Sequence, residues 1–483
     1  MMQSIIQSIK FHRIRLRFHV SLMAIFLLAG ISLRTYHYII NHTIWYDEAV
    51  LLVNIEEKSL GELVGKLDYE VAAPPLFVWS LKCVGLLVGD NPYFWRLLPF
   101  LASCGTLLLI SWIGRRYLPP FAAIVLTGMV AFSDAFIWLG CNVKPYIVDA
   151  FMATCLLAGY LRTANWSIKH RLWLISVTAP VVLTLSYPAM FLYGALSVVF
   201  LRAVWREQTR ENIIALSMAV FVVALTAAVL YLGPITAQRV SGLVNHWNNK
   251  FPDPQRPWTV PGWIVGNTLL VFHFCYNPIG VVAAIFAVIG CVWCVRRGLS
   301  DWAIIAVGPL ILTLFAAFVK SYPYSGNRLI LFAAPGLGFL IALGAAEVHT
   351  WLQQKISWSS AAILCLLTVP DLAYSAFHLW APWPQPAAAS VKSAVEAARM
   401  PNDLVASDEA NYVYFFHGEL KSLNEIAHSA YPAGQRLWVP MDYYESSTRR
   451  EYITRFLKPQ DWELIEAKEF YMAGLYLFQK IDR

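Results

Sequence analysis

Two short turns carry the residue types needed to hold a phosphate at a lipid–water boundary. Asn142-Val143-Lys144-Pro145-Tyr146 and Lys320-Ser321-Tyr322-Pro323-Tyr324-Ser325-Gly326-Asn327-Arg328 each set cations beside tyrosines between two apolar segments. Cations and phenols converging on one membrane face suit a phosphate group with a lipid tail below it. Arg328 follows Gly326 and Asn327 at an expected helix start, where positive charge opposes the helix dipole, so some functional gain should compensate. Acids stand at the same level of the chain. Asp47 and Glu48 open the segment Ile44-Trp45-Tyr46-Asp47-Glu48-Ala49-Val50, directly after the first apolar run. A carboxylate there could accept a proton from an attacking hydroxyl, or Asp47 could simply cap the helix that follows. Neighbouring residues on a helix point in different directions, so Asp47 and Glu48 should have different partners. Asp149, three residues beyond Tyr146, reads equally as a charge partner of Lys144 and as a direct substrate contact.

The elements that position these residues follow from composition. The 483 residues are 58% apolar and only 14% charged, with a mean hydropathy of +0.53. A soluble chain carries about 25% charged residues, so a polytopic membrane protein is expected. Residues 1–390 hold 26 Lys plus Arg against 16 Asp plus Glu, whereas residues 391–483 hold 11 against 14. A basic membrane module, residues 1–380, should therefore precede a small water-soluble domain, residues 381–483. About eleven spans are expected, near 19–40, 96–113, 119–139, 147–161, 172–187, 189–203, 212–232, 276–294, 302–319, 329–348 and 357–376. The first outer loop, 41–95, should contain interfacial helices, with Pro75–Gly89 lying in the membrane interface. Residues 233–275, polar and proline-rich at their start, read as an outer loop forming a lid.

Charge fixes the expected orientation. With the N-terminus inside, inner segments collect fifteen basic residues, among them Lys10, Arg13, Arg15, Arg17, Arg115 and Arg116, against four acidic ones. The C-terminal domain then lies outside, in a periplasm or equivalent, and the protein spans the inner (plasma) membrane. Arg34, Arg96, Lys144, Lys320 and Arg328 sit on the disfavoured side, where an ionisable group at membrane depth marks function by default. Lys58, Lys66 and Lys250 read instead as snorkelling to headgroups.

In their order, these pieces resemble the C-type (GT-C) membrane glycosyltransferases, in the bacterial family 39-like branch of protein O-mannosyltransferases and lipid A aminoarabinose transferases. The carriers are Trp45-Tyr46-Asp47-Glu48-Ala49, Ala73-Pro74-Pro75, Asn91-Pro92-Tyr93-Phe94-Trp95-Arg96, Lys144-Pro145-Tyr146 with Asp149, and Tyr322-Pro323-Tyr324 with Arg328, spread over about residues 20–350. The resemblance implies a mainly α, polytopic helical GT-C fold. It also implies transfer of one sugar, with inversion, from a polyprenyl-phosphate donor to an acceptor on the outer face. Asp47, with Glu48, matches the catalytic acids of the first outer loop; Arg96, Lys144, Tyr146, Asp149, Lys320, Tyr322, Tyr324 and Arg328 take the donor phosphate and sugar. Ala73 stands where relatives often carry His or Lys, so one polar donor contact is expected to be missing.

The expected partners are the lipid bilayer, the polyprenyl-phosphate sugar and an acceptor of unassigned type (glycan, lipid or protein); no nucleic-acid partner is expected. No cofactor is expected. Asp47, Glu48 and Asp149 could in principle hold a divalent ion, but the many cations make a metal less necessary. The competing class is a non-catalytic transporter or flippase of lipid-linked sugars, which the absence of a visible internal repeat disfavours. In the soluble domain, helix and strand signals alternate, with strands at Asp403–Ser407, Arg436–Pro440 and Leu475–Gln479, giving a small α/β fold. Asp408, Glu409 and His417 read there as solvated polar surface.

Overall fold

The computed structural model describes residues 2–442 and 445–482, with side chains from Val20 onward; Lys10, Arg13, Arg15 and Arg17 lie outside the described side chains. The chain forms two compact units. One joins Met1–Ile40 to Ala72–Ala381, and the other joins Asn41–Val71 to Pro382–Arg483. Residues 41–71 thus group with 382–483 and not with the membrane helices.

In chain order the helices are α1 (Met2–Ile40), α2 (Tyr46–Glu57), α3 (Pro75–Val88), α4 (Pro92–Tyr117), α5 (Pro120–Phe132), α6 (Asp134–Leu139), α7 (Tyr146–Arg162), α8 (Ile168–Leu185), α9 (Ala189–Glu207) and α10 (Arg210–Leu230). Two short pieces, α11 (Thr236–Gln238) and α12 (Ser241–His246), precede α13 (Val260–Cys275), α14 (Gly280–Arg296), α15 (Ser300–Phe318), α16 (Ala334–Leu352) and α17 (Ser359–Phe377). Proline recurs at N1 (Pro75, Pro92, Pro120), where its missing N–H is not needed. Among the described residues, eight helices are long and apolar enough to cross a membrane. The protein is therefore an integral membrane protein.

The expected eleven spans are not all reproduced. Residues 119–139 are not one helix: the chain breaks at Ser133 between α5 and α6. The second half of the expected lid, 260–275, is the apolar helix α13, which meets α14 at a bend of 102°. A broken or re-entrant apolar pair looks like a loop plus one span when only its second half is read.

The break after α5 explains Arg34. Fully buried in α1, its Nη1 donates to Ala131 O at 2.9 Å and its Nη2 to Val130 O at 2.8 Å. Nη1 also donates to Gly30 O at 2.9 Å and Nε to Ser103 Oγ at 2.8 Å. Ser375 Oγ of α17 donates to the next carbonyl, Phe132 O, at 2.6 Å. The last carbonyls of a helix have no partner within it and carry its negative dipole end, so an arginine from a neighbour is a fitting cap. Arg34 is structural. Arg34→Met should destabilise the membrane unit by about 3–5 kcal/mol, read as a lower unfolding midpoint in detergent.

The second unit contains α2 with α18 (Ala388–Ala398), β1 (Leu404–Ala406), α19 (Asn411–Phe416), β2 (Leu420–Lys421), α20 (Leu423–His428), β3 (Arg436–Asp442), α21 (Ser446–Phe456), β4 (Trp462–Phe470) and β5 (Ala473–Lys480). The sheet order is β2-β1-β3-β5-β4. β1 pairs parallel to β2 and β3, while β5 is antiparallel to both β3 and β4. Leu437, Val439, Met441, Tyr476 and Phe478 supply its core beside Ile426 and Ile453. Helix α2 packs on α19, and the two run in the same direction. Tyr46 at the start of α2 lies in the field of Glu409, just before α19; Glu56 at its end lies 3.5 Å from His417, just after α19. Asn54 holds the following segment, its Oδ1 accepting the Asp68 N–H at 2.7 Å.

Candidate active site

The membrane unit brings the two cation-bearing turns together. Tyr146 is the first residue of α7, behind the Lys144-Pro145 turn, and Arg328 opens a 3-10 helix, Arg328–Ala333, that packs along α7. Asn327 caps that turn, its Oδ1 accepting the Leu329 N–H at 2.9 Å. Gly326 makes the approach possible: a Cβ there would come within 2.1 Å of Leu270 O. The Arg328 Nε then donates to Tyr146 Oη at 3.1 Å, with the guanidinium 5.6 Å from the centre of the same ring. The pairing fixes the plane of the guanidinium, a rigid fork whose geometry matches phosphate oxygens.

Other side chains gather at this end of the helices. Tyr322 Oη donates to Leu329 O at 2.8 Å. Burial, helped by the nearby Asp149 carboxylate and Tyr146, pushes its phenol well above the ordinary value, so it acts as a neutral hydrogen-bonding group. Lys144 is only 4% exposed. Asp149, in the first turn of α7, is also buried; it makes no ion pair with Lys144, and its Oδ1 has no hydrogen-bond partner among the described residues. Ser186 lies beside Asp149, within interaction distance of its carboxylate, although its hydroxyl makes no hydrogen bond of ordinary geometry among them. Asn142 Nδ2, Ser325 Oγ and Asn327 Nδ2, on the same two turns as Lys144 and Arg328, are in the same state. Buried polar atoms are ordinarily satisfied, so this concentration of spare donors and acceptors marks a place built for a polar ligand. Ser186 gave no signal in the sequence, being one serine in an apolar run.

Three predicted residues sit differently. Arg96 is buried in the second turn of α4, a helix that packs on α7. Lys320 is exposed, with a left-handed backbone (φ 53°), and its carbonyl accepts from Arg239 Nη2 at 2.9 Å. Tyr324 is buried against α13, its hydroxyl 2.8 Å from Thr268 Oγ1. Its N–H donates to Lys250 O at 3.2 Å. Gln238 ties the start of the expected lid to Ala73, accepting the Ala73 N–H at 3.1 Å and donating to Ala73 O at 3.2 Å. Gln238, Arg239 and Lys250 are thus hydrogen-bonded to Ala73, Lys320 and Tyr324.

In the second unit, Asp47 lies half-buried in the first turn of α2, at the positive end of its dipole. The capping expected of Asp47 falls instead to Glu48, which is buried and accepts the Trp45 N–H through Oε2 at 3.3 Å. Glu48 thereby helps to hold the helix start. Tyr46 lies between acids: burial, then Glu409 and Asp47, raise its phenol. Among the described residues no group of three or more His, Cys, Asp or Glu could hold a metal ion.

Glu409 is not the solvated residue expected. Burial first, then Asp442 and Asp408, push its carboxyl to about 7. A carboxyl raised from its unfolded value favours the folded state when protonated, so its contribution is complete at low pH and is lost as pH rises through about 7. The second unit should be less stable at pH 8 than at pH 5.5 by about 1–3 kcal/mol. Glu409→Gln should flatten that dependence, measured by hydrogen exchange of β1 and β3 amides across the range.

The sequence matches no family model and no curated protein. The structure does match. Crystal structures of ArnT from Cupriavidus metallidurans superpose with a TM-score of 0.55 in the apo state, at 11% identity, covering 93% of this chain and 97% of that one. The complex of ArnT with undecaprenyl phosphate gives 0.54 at 12% identity, covering 95% and 97%. The chain therefore has the ArnT-like GT-C fold over nearly its whole length, C-terminal domain included.

Proposed function

We propose that the protein is a membrane glycosyltransferase that moves a single sugar from a polyprenyl-phosphate donor to an acceptor on the outer face of the inner membrane. The carrying observation is the Arg328–Tyr146 pairing, with spare buried polar atoms on both participating turns and on Asp149 and Ser186. The binding of undecaprenyl phosphate by an ArnT of the same fold supports a polyprenyl phosphate as the lipid partner.

In this reading the acceptor oxygen forms a bond to the anomeric carbon as the bond from that carbon to the phosphate oxygen breaks. The electron pair leaves on the polyprenyl phosphate, the hydroxyl proton passes to the Asp47 carboxylate, and configuration inverts. A phosphate is a weakly basic leaving group, so no acid is required to protonate it. Arg328, Lys144 and Arg96 stabilise the charge gathering on it, an effect strongest in a water-poor site. Tyr146, Tyr322 and Asp149 orient the donor; Lys320 and Tyr324 hold the surrounding loops. The orientation follows from the basic inner segments, with the N-terminus cytoplasmic and the C-terminal domain outside. The test is to mix purified protein with a polyprenyl-phosphate sugar and envelope acceptors and follow sugar transfer by mass spectrometry.

A further inference from the structure

The soluble domain contains a second place whose polar groups are unfinished. β1 leads through α19 to β2 on one side of the sheet, while β3 leads through α21 toward β4 and β5 on the other. Neighbouring parallel strands whose connections diverge leave a crevice outside their carboxyl ends, and open α/β sheets bind ligands there. The floor of this crevice is Asp442, the last residue of β3 and fully buried. Tyr412 Oη and Asn411 Nδ2, both from α19, donate to its two oxygens. Arg449 of α21 lies in the field of Asp442 from the other wall. Just past β1, Glu409 lies in the field of Asp442 and Asp408, and Asp408 accepts from the Leu423 N–H and from Tyr452 Oη.

The leftover atoms are informative because they are of both kinds. Arg449 is 4% exposed and gives one N–H to Glu469, but its Nε and Nη1 have no acceptor among the described residues. Asn411 is fully buried, and its Oδ1 has no donor among them. Such groups are desolvated without return until a ligand meets them. An ammonium group would suit Asn411 and the acids but leave the arginine N–H groups unanswered. A phosphate would answer Arg449 but face Asp442, Glu409 and Asp408. A hydroxyl both donates and accepts, and adjacent hydroxyls would serve both sets.

We propose that this crevice is a sugar-binding site that recognises vicinal hydroxyls through Arg449, Asn411 and Glu409. Naming its natural occupant as the glycan part of the acceptor rests on the proposed transfer reaction; sugar binding itself does not. The experiment is saturation-transfer NMR on the full chain in a sugar-free detergent, with maltose, cellobiose and chitobiose as probes. Saturable binding of at least one neutral disaccharide is expected. Asn411→Leu and Glu409→Ala should each weaken it by about tenfold or more, with β3 amide exchange confirming that the sheet persists. Arg328→Met, a change in the donor site, should leave it in place, so a failed transferase and a failed sugar site give different results. Absence of saturable binding to all three disaccharides overturns the proposal, as does equal binding by wild type and Glu409→Ala, or binding of aminated sugars alone.

Discussion

Asp47→Asn is expected to lower the turnover of sugar transfer by about a thousandfold while leaving polyprenyl-phosphate binding within about twofold. Asparagine keeps the shape and can still accept a hydrogen bond, but it cannot take the proton of the attacking hydroxyl. The structure makes the substitution clean. The cap of α2 is supplied by Glu48, whose Oε2 accepts the Trp45 N–H, so the capping hydrogen bond survives the substitution. Glu48→Gln should behave oppositely, with little direct effect on chemistry and a measurable loss of order in α2, seen as faster exchange of its first-turn amides.

Arg328→Met should cost about a hundredfold or more in turnover and also weaken donor binding. The guanidinium is the group that the fold brings from one turn onto the other, 3.1 Å from Tyr146 Oη. Lysine at this position should recover only a small part of the loss, because a single ammonium cannot contact Tyr146 and present a planar fork to a phosphate together. Tyr146→Phe removes one hydrogen bond and keeps the ring, so its effect should be far smaller, about five- to tenfold. Equal losses for Tyr146→Phe and Arg328→Met would mean that Arg328 acts only through the tyrosine.

Much of this arrangement is legible in the sequence because membrane placement exposes it. A lysine, an arginine and tyrosines in tight turns between apolar runs stand out against a chain with 14% charged residues. The Lys144–Tyr146 and Tyr322–Arg328 turns were visible for that reason, and their meeting needed only the fold. Arg34 stood out equally and misled, since a buried cation that caps α5 looks in sequence like one that binds a ligand. The break at Ser133 was hidden because both halves of 119–139 are apolar and the capping partners are 99 and 242 positions away, at Arg34 and Ser375. α13 was read as loop because its polar approach, 236–259, masked a short apolar helix that needs α14 to complete it.

In the soluble domain the buried strands β1, β3 and β5 were readable from their apolar runs. β4 was not: it is an edge strand, exposed along most of its length and rich in charge. The assignment of residues 41–71 to the second unit also has no local signature, for it depends on α19 presenting a surface to α2. Glu409 and Asp442 were invisible as a pair, being far apart in the chain and joined only by the order of β1 and β3.

The most direct measurement follows the anomeric carbon of a polyprenyl-phosphate sugar incubated with purified protein and acceptor in detergent, where no membrane separates two compartments. The transfer mechanism predicts many turnovers, a product of inverted configuration, and loss of turnover with retained lipid binding for Asp47→Asn. An intact protein that binds the lipid, leaves the sugar–phosphate bond uncut with every envelope acceptor, and moves the same lipid between the leaflets of liposomes would contradict it and establish a transporter instead.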